Sequence, residues 1–211
     1  MLRALLFTLG ALTLGCGDEA PPGATPLDAS LADDRPVPVD TSAVTDGAPL
    51  PTPDGGRATV YYVIRHAERD PGDDPPINAE GMQRAQRLVG ALGRAGVEEI
   101  VVTSYLRSGQ TAAPLSAQTR APVTTAPIAR TAWPDMGRQV GEWQRARERP
   151  GSTTLMVGHS GGYNVALLQA LGAQGLSLTE RYQDLVVLVR EPDGTVRTSV
   201  LEYGGRSSLD F

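Results

Sequence analysis

Between residues 58 and 211 apolar and polar positions follow first one period and then another. Ala58 to Ile64 is a run of β-formers, read as a buried strand, and it breaks within one residue into Arg65-His66-Ala67-Glu68-Arg69. Asp70 to Pro76 is a loop by its Pro, Gly and Asp content. Asn78 can cap a following helix, with Glu80 in its first turn. Met82, Ala85, Leu88, Val89 and Leu92 fall at helical spacing, Arg84 and Arg87 fall outside that stripe, and Gly93 and Gly96 end the helix. Ile100 to Ser104 is a second buried strand with a polar end. Tyr105 to Ala112 leads into a helix in which Pro114 belongs to the first turn if the helix starts late and otherwise makes a kink. Pro122 to Pro127 reads as a short strand. Residues 129–151 carry the weakest pattern, with Trp133-Pro134-Asp135 as a turn and Val140 to Arg149 as a mostly polar helix. Thr154 to Val157 is a third buried strand; Gly158-His159-Ser160-Gly161-Gly162 follows, then an apolar helix from Tyr163 to Leu171. Leu185 to Arg190 and Thr195 to Tyr203 form a hairpin around Pro192-Asp193-Gly194. Strands alternating with helices predict an α/β fold with a mostly parallel sheet, to which the hairpin adds an antiparallel edge.

Nothing before residue 58 shows such periodicity. Met1 to Gly15 has one early charge, Arg3, and an apolar run from Ala4 to Leu14, too short for a bilayer and suited to a secretory signal. The only cysteine, Cys16, stands at its end. Leu12-Thr13-Leu14-Gly15-Cys16 resembles a bacterial lipobox, with Thr13 and Leu14 where that pattern prefers Leu and a small residue. The resemblance implies a signal peptide over 1–16, lipidation of Cys16 and an extracytoplasmic, membrane-anchored place in a bacterial envelope; an ordinary signal peptide with a chance Cys is the plainer alternative. Residues 17–57 are rich in Pro, Asp and Ala and hold no aromatic residue, which predicts a disordered acidic tether. The domain then covers 58–211.

Charge sharpens that division. Residues 17–57 hold eight acids against Arg35 and Arg57, whereas 58–211 hold sixteen acids and sixteen arginines. The tether thus carries −6, and with Arg3 this gives the whole net charge of −5. A near-neutral domain gives no electrostatic case for a nucleic-acid partner.

Three predicted strands end in reactive or cationic groups: Arg65 and His66, Ser104 leading to Arg107, and His159 with Ser160. In a parallel sheet these ends share one edge, where ligands of open α/β sheets bind. Guanidinium forks suit phosphoryl oxygens, and a neutral imidazole has a lone pair that can attack phosphorus. The set needs no cofactor. With two histidines in the chain, a metal site could be completed only by carboxylates.

The segments Arg65-His66-Ala67-Glu68, Pro76-Ile77-Asn78-Ala79-Glu80-Gly81, Ser104 to Ala112 and Val157-Gly158-His159-Ser160 together resemble, in order, the signatures of the histidine phosphatase superfamily, the phosphoglycerate-mutase-like proteins, and the compact layout resembles the phosphohistidine-phosphatase branch. The resemblance implies a three-layer α/β/α domain and a metal-independent phosphoric monoester hydrolase. His66 would be the nucleophile, and Arg65, Arg107, His159 and Ser160 would bind the phosphoryl oxygens. The substrate would be a phosphorylated small molecule or envelope component. A proton donor for the leaving group could be Glu68, Asp74, Asp135 or Glu142, with Asp73 a further candidate, and each could equally be a surface acid. Gly158-His159-Ser160-Gly161-Gly162 also fits a Gly-x-Ser-x-Gly nucleophile elbow, which would make Ser160 an esterase nucleophile; the required later histidine is missing. A third possibility is a non-catalytic phosphate-binding envelope protein.

Overall fold

Ten elements follow one another: β1 (Thr59–Arg65), α1 (Ala79–Leu92), β2 (Glu99–Val102), α2 (Leu106–Thr119), β3 (Val123–Thr125), α3 (Trp133–Ala146), β4 (Thr153–Gly158), α4 (Tyr163–Ala170), β5 (Asp184–Arg190) and β6 (Val196–Glu202). They come from a computed structural model that describes residues 56–208. The signal segment, Cys16 and all but the end of the expected tether lie outside the described residues. The strands form one six-stranded sheet in the order β3-β2-β4-β1-β5-β6. β1, β2, β3 and β4 run parallel, while β5 is antiparallel to β1 and to β6. This is the mostly parallel α/β sheet with an antiparallel C-terminal hairpin that the pattern predicts.

Alternation along the strands makes two cores. Tyr61, Val63, Val101 and Met156 pack with Met136, Val140, Tyr163 and Leu167 of α3 and α4. Ile64, Ile100, Val102, Leu155 and Val157 pack on the other face with Leu88 and Leu92 of α1 and Ala112 and Leu115 of α2. A strand whose two faces are both covered reads as a continuous apolar run, as β1 and β4 do. The result is three layers, helices on each face of the sheet.

Four local readings need correction. In α1 the buried stripe is Gly81, Arg84, Ala85, Leu88 and Leu92, so Arg84 lies inside it, and Met82, expected in the stripe, is exposed. Met82 instead borders an open groove of about 340 Å³ with Ile77, Ala85 and Pro114. An arginine occupies a core position because its Nε, Nη1 and Nη2 each find an acceptor: Glu68, Tyr203 C=O and Gly205 C=O. Pro114 lies well inside α2, which starts at Leu106, so of its two expected placements the one beyond the first turn holds. Trp133-Pro134-Asp135 opens α3 and is no separate turn, because a proline in the first turn forfeits only an N–H that has no intrahelical acceptor. The helix ends at Ala146 and not at Arg149.

Candidate active site

β1, β2 and β4 are parallel, so their carboxyl ends emerge together. Val102 pairs with Val157 and Arg65 with Gly158 in register, which puts His66, Thr103 and His159 just beyond one edge. The two imidazoles lie with ring centroids 5.2 Å apart, edge to face. The chain's two histidines, 93 positions apart in sequence, meet here.

The backbone fixes each ring. His66 N–H donates to Gly158 C=O at 2.9 Å, continuing the sheet one residue past β1. His66 Nδ1 lies 2.8 Å from Ala67 C=O; a carbonyl only accepts, so Nδ1 carries the proton and Nε2 keeps a lone pair. Ala67 N–H in turn donates to Thr111 Oγ1 at 2.9 Å, tying this turn to α2. α1 passes so close beneath that a Cβ on Gly81 would sit 2.2 Å from Glu68 C=O; only glycine fits. His159 Nε2 meets Thr103 Oγ1 at 2.9 Å, and Thr103 Oγ1 meets Ser108 Oγ at 2.9 Å. Three aromatic rings enclose His159: Trp133 stacked at 4.6 Å, Tyr105 and Tyr163 each edge-on at 5.0 Å.

Burial dominates the electrostatics. It pushes His66 down to about 3, helped by the Arg107, Arg65 and Arg69 charges and opposed by the Ala67 carbonyl. His159 falls to about 2, again mainly by burial and then through His66 and the same arginines. Both imidazoles are therefore neutral at pH 7. Burial also lowers Arg107, with Asp74 opposing.

Arg65 donates through Nη1 to Glu180 C=O at 3.3 Å and through Nη2 to Tyr182 Oη at 3.0 Å, with its guanidinium carbon 3.7 Å from the Tyr182 ring centroid. Arg107, in the first turn of α2, donates through Nη1 to Asp74 Oδ1 at 3.2 Å and lies over Tyr105 at 4.2 Å. Six buried side-chain nitrogen or oxygen atoms have no partner among the described residues, and three belong to this site: Arg65 Nε, Arg107 Nε and His159 Nδ1. An unmade bond to a buried donor costs about 1–3 kcal/mol, so such a cluster marks where a ligand's acceptor atoms go.

The structure separates the four candidate acids. Glu68 is wholly buried and accepts Arg84 Nε at 2.7 and 2.9 Å, an ion pair that gives it a structural post behind the His66 turn. Asp74 caps α2 by accepting Leu106 N–H at 3.0 Å and bridges Arg107 to Arg130, whose Nη2 lies 2.6 Å from its Oδ2. Asp74 thus stands at the site, as an acceptor for three donors. Asp135 and Glu142 are exposed and pair with Arg138 on the outer face of α3, at 3.8 and 2.8 Å. Asp73 contributes only its C=O, 3.4 Å from Arg107 Nη1. Ser160 is half-buried on the turn after β4, where Gly161 and Gly162 have φ of 69° and 84°. His159 directs Nε2 to Thr103, away from any Ser160 dyad. No group of three or more His, Cys, Asp and Glu side chains suited to a metal occurs among the described residues.

Sequence reasoning missed Thr103, Tyr105, Arg130, Trp133, Glu180 and Tyr182. Thr103 and Tyr105 flank Ser104 at a predicted strand end and could have been inferred from it. Trp133 opens α3 in the stretch of weakest pattern, and Glu180 and Tyr182 come from the connection between α4 and β5, which has no local pattern.

Residues 61–130 match the family model described as histidine phosphatase superfamily (branch 1). No curated protein matches the chain by sequence. Among solved structures, the fold is similar to an Escherichia coli protein described as an alpha-ribazole-5'-P phosphatase (TM-score 0.55, 14% identity, 69% of this chain and 97% of that one). It is also similar to a Nakamurella multipartitia protein described as the phosphohistidine phosphatase SixA (TM-score 0.53, 17% identity, 72% and 98%). A third likeness is to Bacillus stearothermophilus YhfR (TM-score 0.53, 20% identity, 73% and 100%). At these identities the structural likenesses establish the shared fold.

Proposed function

We propose, from the match of residues 61–130 to the histidine phosphatase superfamily model and from the site geometry, that the chain hydrolyses a phosphorylated small molecule or envelope component through a phosphohistidine on His66. The observation that carries this reading is the set of orphaned nitrogens, Arg65 Nε, Arg107 Nε and His159 Nδ1, beside a histidine whose tautomer leaves Nε2 free to attack.

The chemistry follows from those groups. A phosphoryl dianion enters an edge lined by Arg65 and Arg107, whose charge persists at any physiological pH. Thr103 Oγ–H donating to His159 Nε2 puts the remaining proton on Nδ1, which then donates to a phosphoryl oxygen. His66 Nε2 attacks phosphorus; the P–O bond to the leaving group breaks and its electron pair stays on the leaving oxygen. Positive charge developing on the ring is stabilised through Nδ1–H donating to Ala67 C=O. Water then attacks phosphorus, the N–P bond breaks, its pair returns to Nε2, and the water's proton leaves with phosphate or solvent. Preorganised donors around the transferring group supply the main stabilisation, about 3–4 kcal/mol for each.

A leaving oxygen that departs as a poor anion needs a proton donor. Glu68 is locked to Arg84, Asp135 and Glu142 pair with Arg138 on the outer face of α3, and Asp74 serves as an acceptor. The arrangement therefore favours substrates whose leaving group needs no proton from the protein: an acyl phosphate, an aryl phosphate, or a phosphoramidate whose nitrogen is already protonated in solution. Residues 1–16 as a lipoprotein signal, Cys16 as its lipidated end and 17–57 as a tether would place this activity on the outer side of a bacterial membrane. Mass spectrometry of the mature N-terminus tests that placement: diacylglyceryl on Cys16 is expected, and an unmodified terminus overturns it.

The nucleophile is tested with a chromogenic aryl phosphate. His66→Ala is expected to lower kcat by about three orders of magnitude or more, and acid quenching of the wild type during turnover should trap acid-labile, alkali-stable phosphate on His66. Equal rates in wild type and His66→Ala would sink the assignment. Loss of acyl-ester hydrolysis in Ser160→Ala, with His66→Ala unaffected, would instead favour a serine esterase.

A further inference from the structure

The connection between α4 and β5 reaches the site at a place outside the matched family segment. Glu180 has φ of 52°, a left-handed backbone that a non-glycine residue adopts only when its surroundings hold it there. The surroundings do hold it. Its Oε2 accepts Gly162 N–H at 2.9 Å and its Oε1 accepts Asn164 N–H at 3.1 Å, two amides of the α4 N-terminus that have no intrahelical acceptor. Its C=O accepts Arg65 Nη1. One residue thus joins the turn that carries His159 to the guanidinium that precedes His66.

Tyr182 completes the hold. Its hydroxyl accepts Arg65 Nη2, its ring lies under the same guanidinium, and its centroid is 6.1 Å from that of His66. Arg181 and Thr179 keep the segment rigid by bonding Asp184, the first residue of β5: Thr179 Oγ1 to Oδ2 at 2.9 Å, Arg181 N–H to Oδ2 at 2.9 Å, and Arg181 Nη2 to Oδ1 at 2.9 Å. With one N–H of Nη1 and one of Nη2 engaged, the plane of the Arg65 guanidinium is fixed, and the unpartnered Nε and the second N–H of each Nη remain for a ligand.

We infer that Glu180 and Tyr182 are positioning residues for phosphoryl transfer, a strap that sets the orientation of Arg65 and couples it to the His159 turn. The inference rests on the phosphatase reading for its kinetic consequence, though not for its geometry. A misaimed guanidinium loses transition-state contacts more than ground-state binding, so the loss belongs in kcat.

The experiment uses the purified full-length chain, an aryl phosphate for turnover and tungstate as an oxyanion probe. Tyr182→Phe keeps the ring and removes one bond; Glu180→Ala removes the cap. Each is expected to lower kcat about tenfold with KM within about twofold, and to weaken tungstate binding by a similar factor. Glu180→Gln, which can still accept one amide, should recover part of the loss. In an Arg65→Ala background the same substitutions should weaken tungstate binding less than about twofold, because their effect runs through Arg65. Equal weakening in both backgrounds would show a cap that acts on folding alone and would overturn the inference, as would wild-type kcat and tungstate affinity in Tyr182→Phe. Were the wild type inactive on aryl phosphates, the phosphatase reading would fail while the tungstate comparison still decided the strap.

Discussion

Arg84 and Arg107 are almost equally buried, at 1% and 2% exposure, and they are employed in opposite ways. Arg84 spends its donors on protein: Nε on both oxygens of Glu68, Nη1 on Tyr203 C=O at 3.1 Å and Nη2 on Gly205 C=O at 3.1 Å. Arg107 keeps Nε with no partner and gives only Nη1 to Asp73 and Asp74. A satisfied buried cation is a structural device, whereas an unsatisfied one keeps a donor that the proposed phosphoryl substrate would engage. The same contrast separates the ends of the sheet. Away from the site, Tyr61 Oη donates to Glu148 at 2.7 Å and Arg190 Nε donates to the same carboxylate at 3.2 Å, a closed network.

The contrast can be broken by substitution. Arg84→Ala should be the costliest for stability, about 3–5 kcal/mol, because it leaves Glu68 buried without its counter-charge. Chemical denaturation reads this directly, and replacing both partners by apolar residues should cost less than the single change. Arg107→Ala should do the reverse: a rate loss of about 10²–10³ on an aryl phosphate, with the unliganded midpoint unchanged or raised. Stability losses of similar size in both variants would erase the distinction.

The next test uses pH. Both histidines titrate below their ordinary value of 6.5 in the folded state, at about 3 and about 2. The unfolded chain therefore binds more protons than the native one below pH 6.5. Stability is full above that pH and declines as pH falls toward 3, by at most about 1.4 kcal/mol per pH unit for each histidine. Imidazole NMR signals should stay those of neutral rings from pH 8 to 5, and with only two histidines in the chain the assignment is simple. A midpoint near 6.5 for either ring would show that the site is open to water. The smallest effect is expected outside the site: Asp135→Asn and Glu142→Gln should leave kcat/KM within about twofold, since exposed pairs contribute little.

The layers and the converging strand ends were legible because burial on both faces writes itself as continuous apolar runs, and polar residues break those runs abruptly after Ile64 and Val157. The His66, Arg107 and His159 assignments depended on that topology and on short local motifs. Arg84 escaped because a charged residue in a buried stripe can be recognised only with its partner Glu68, sixteen positions away. Glu68 stays open in the sequence, as a proton-donor candidate or as a residue holding an arginine, for the same reason: only its pairing with Arg84 distinguishes the two. Pro134 was read as a turn because proline both breaks helices and opens them, and periodicity in 129–151 was too weak to decide. Trp133 faces the site from the first turn of α3, whose start the weak pattern hides, and Glu180 and Tyr182 from a connection whose course no residue pattern specifies.

The absence of lysine gives this site an unusual property. Its cations are all guanidinium groups, and its two imidazoles stay neutral well into acid. Across the middle of the pH scale, then, neither imidazole gains or loses a proton. The midpoint of a pH–rate curve would then report the ionisation of the bound phosphoryl compound, and comparing that midpoint between candidate substrates becomes a way of reading their chemistry through the enzyme.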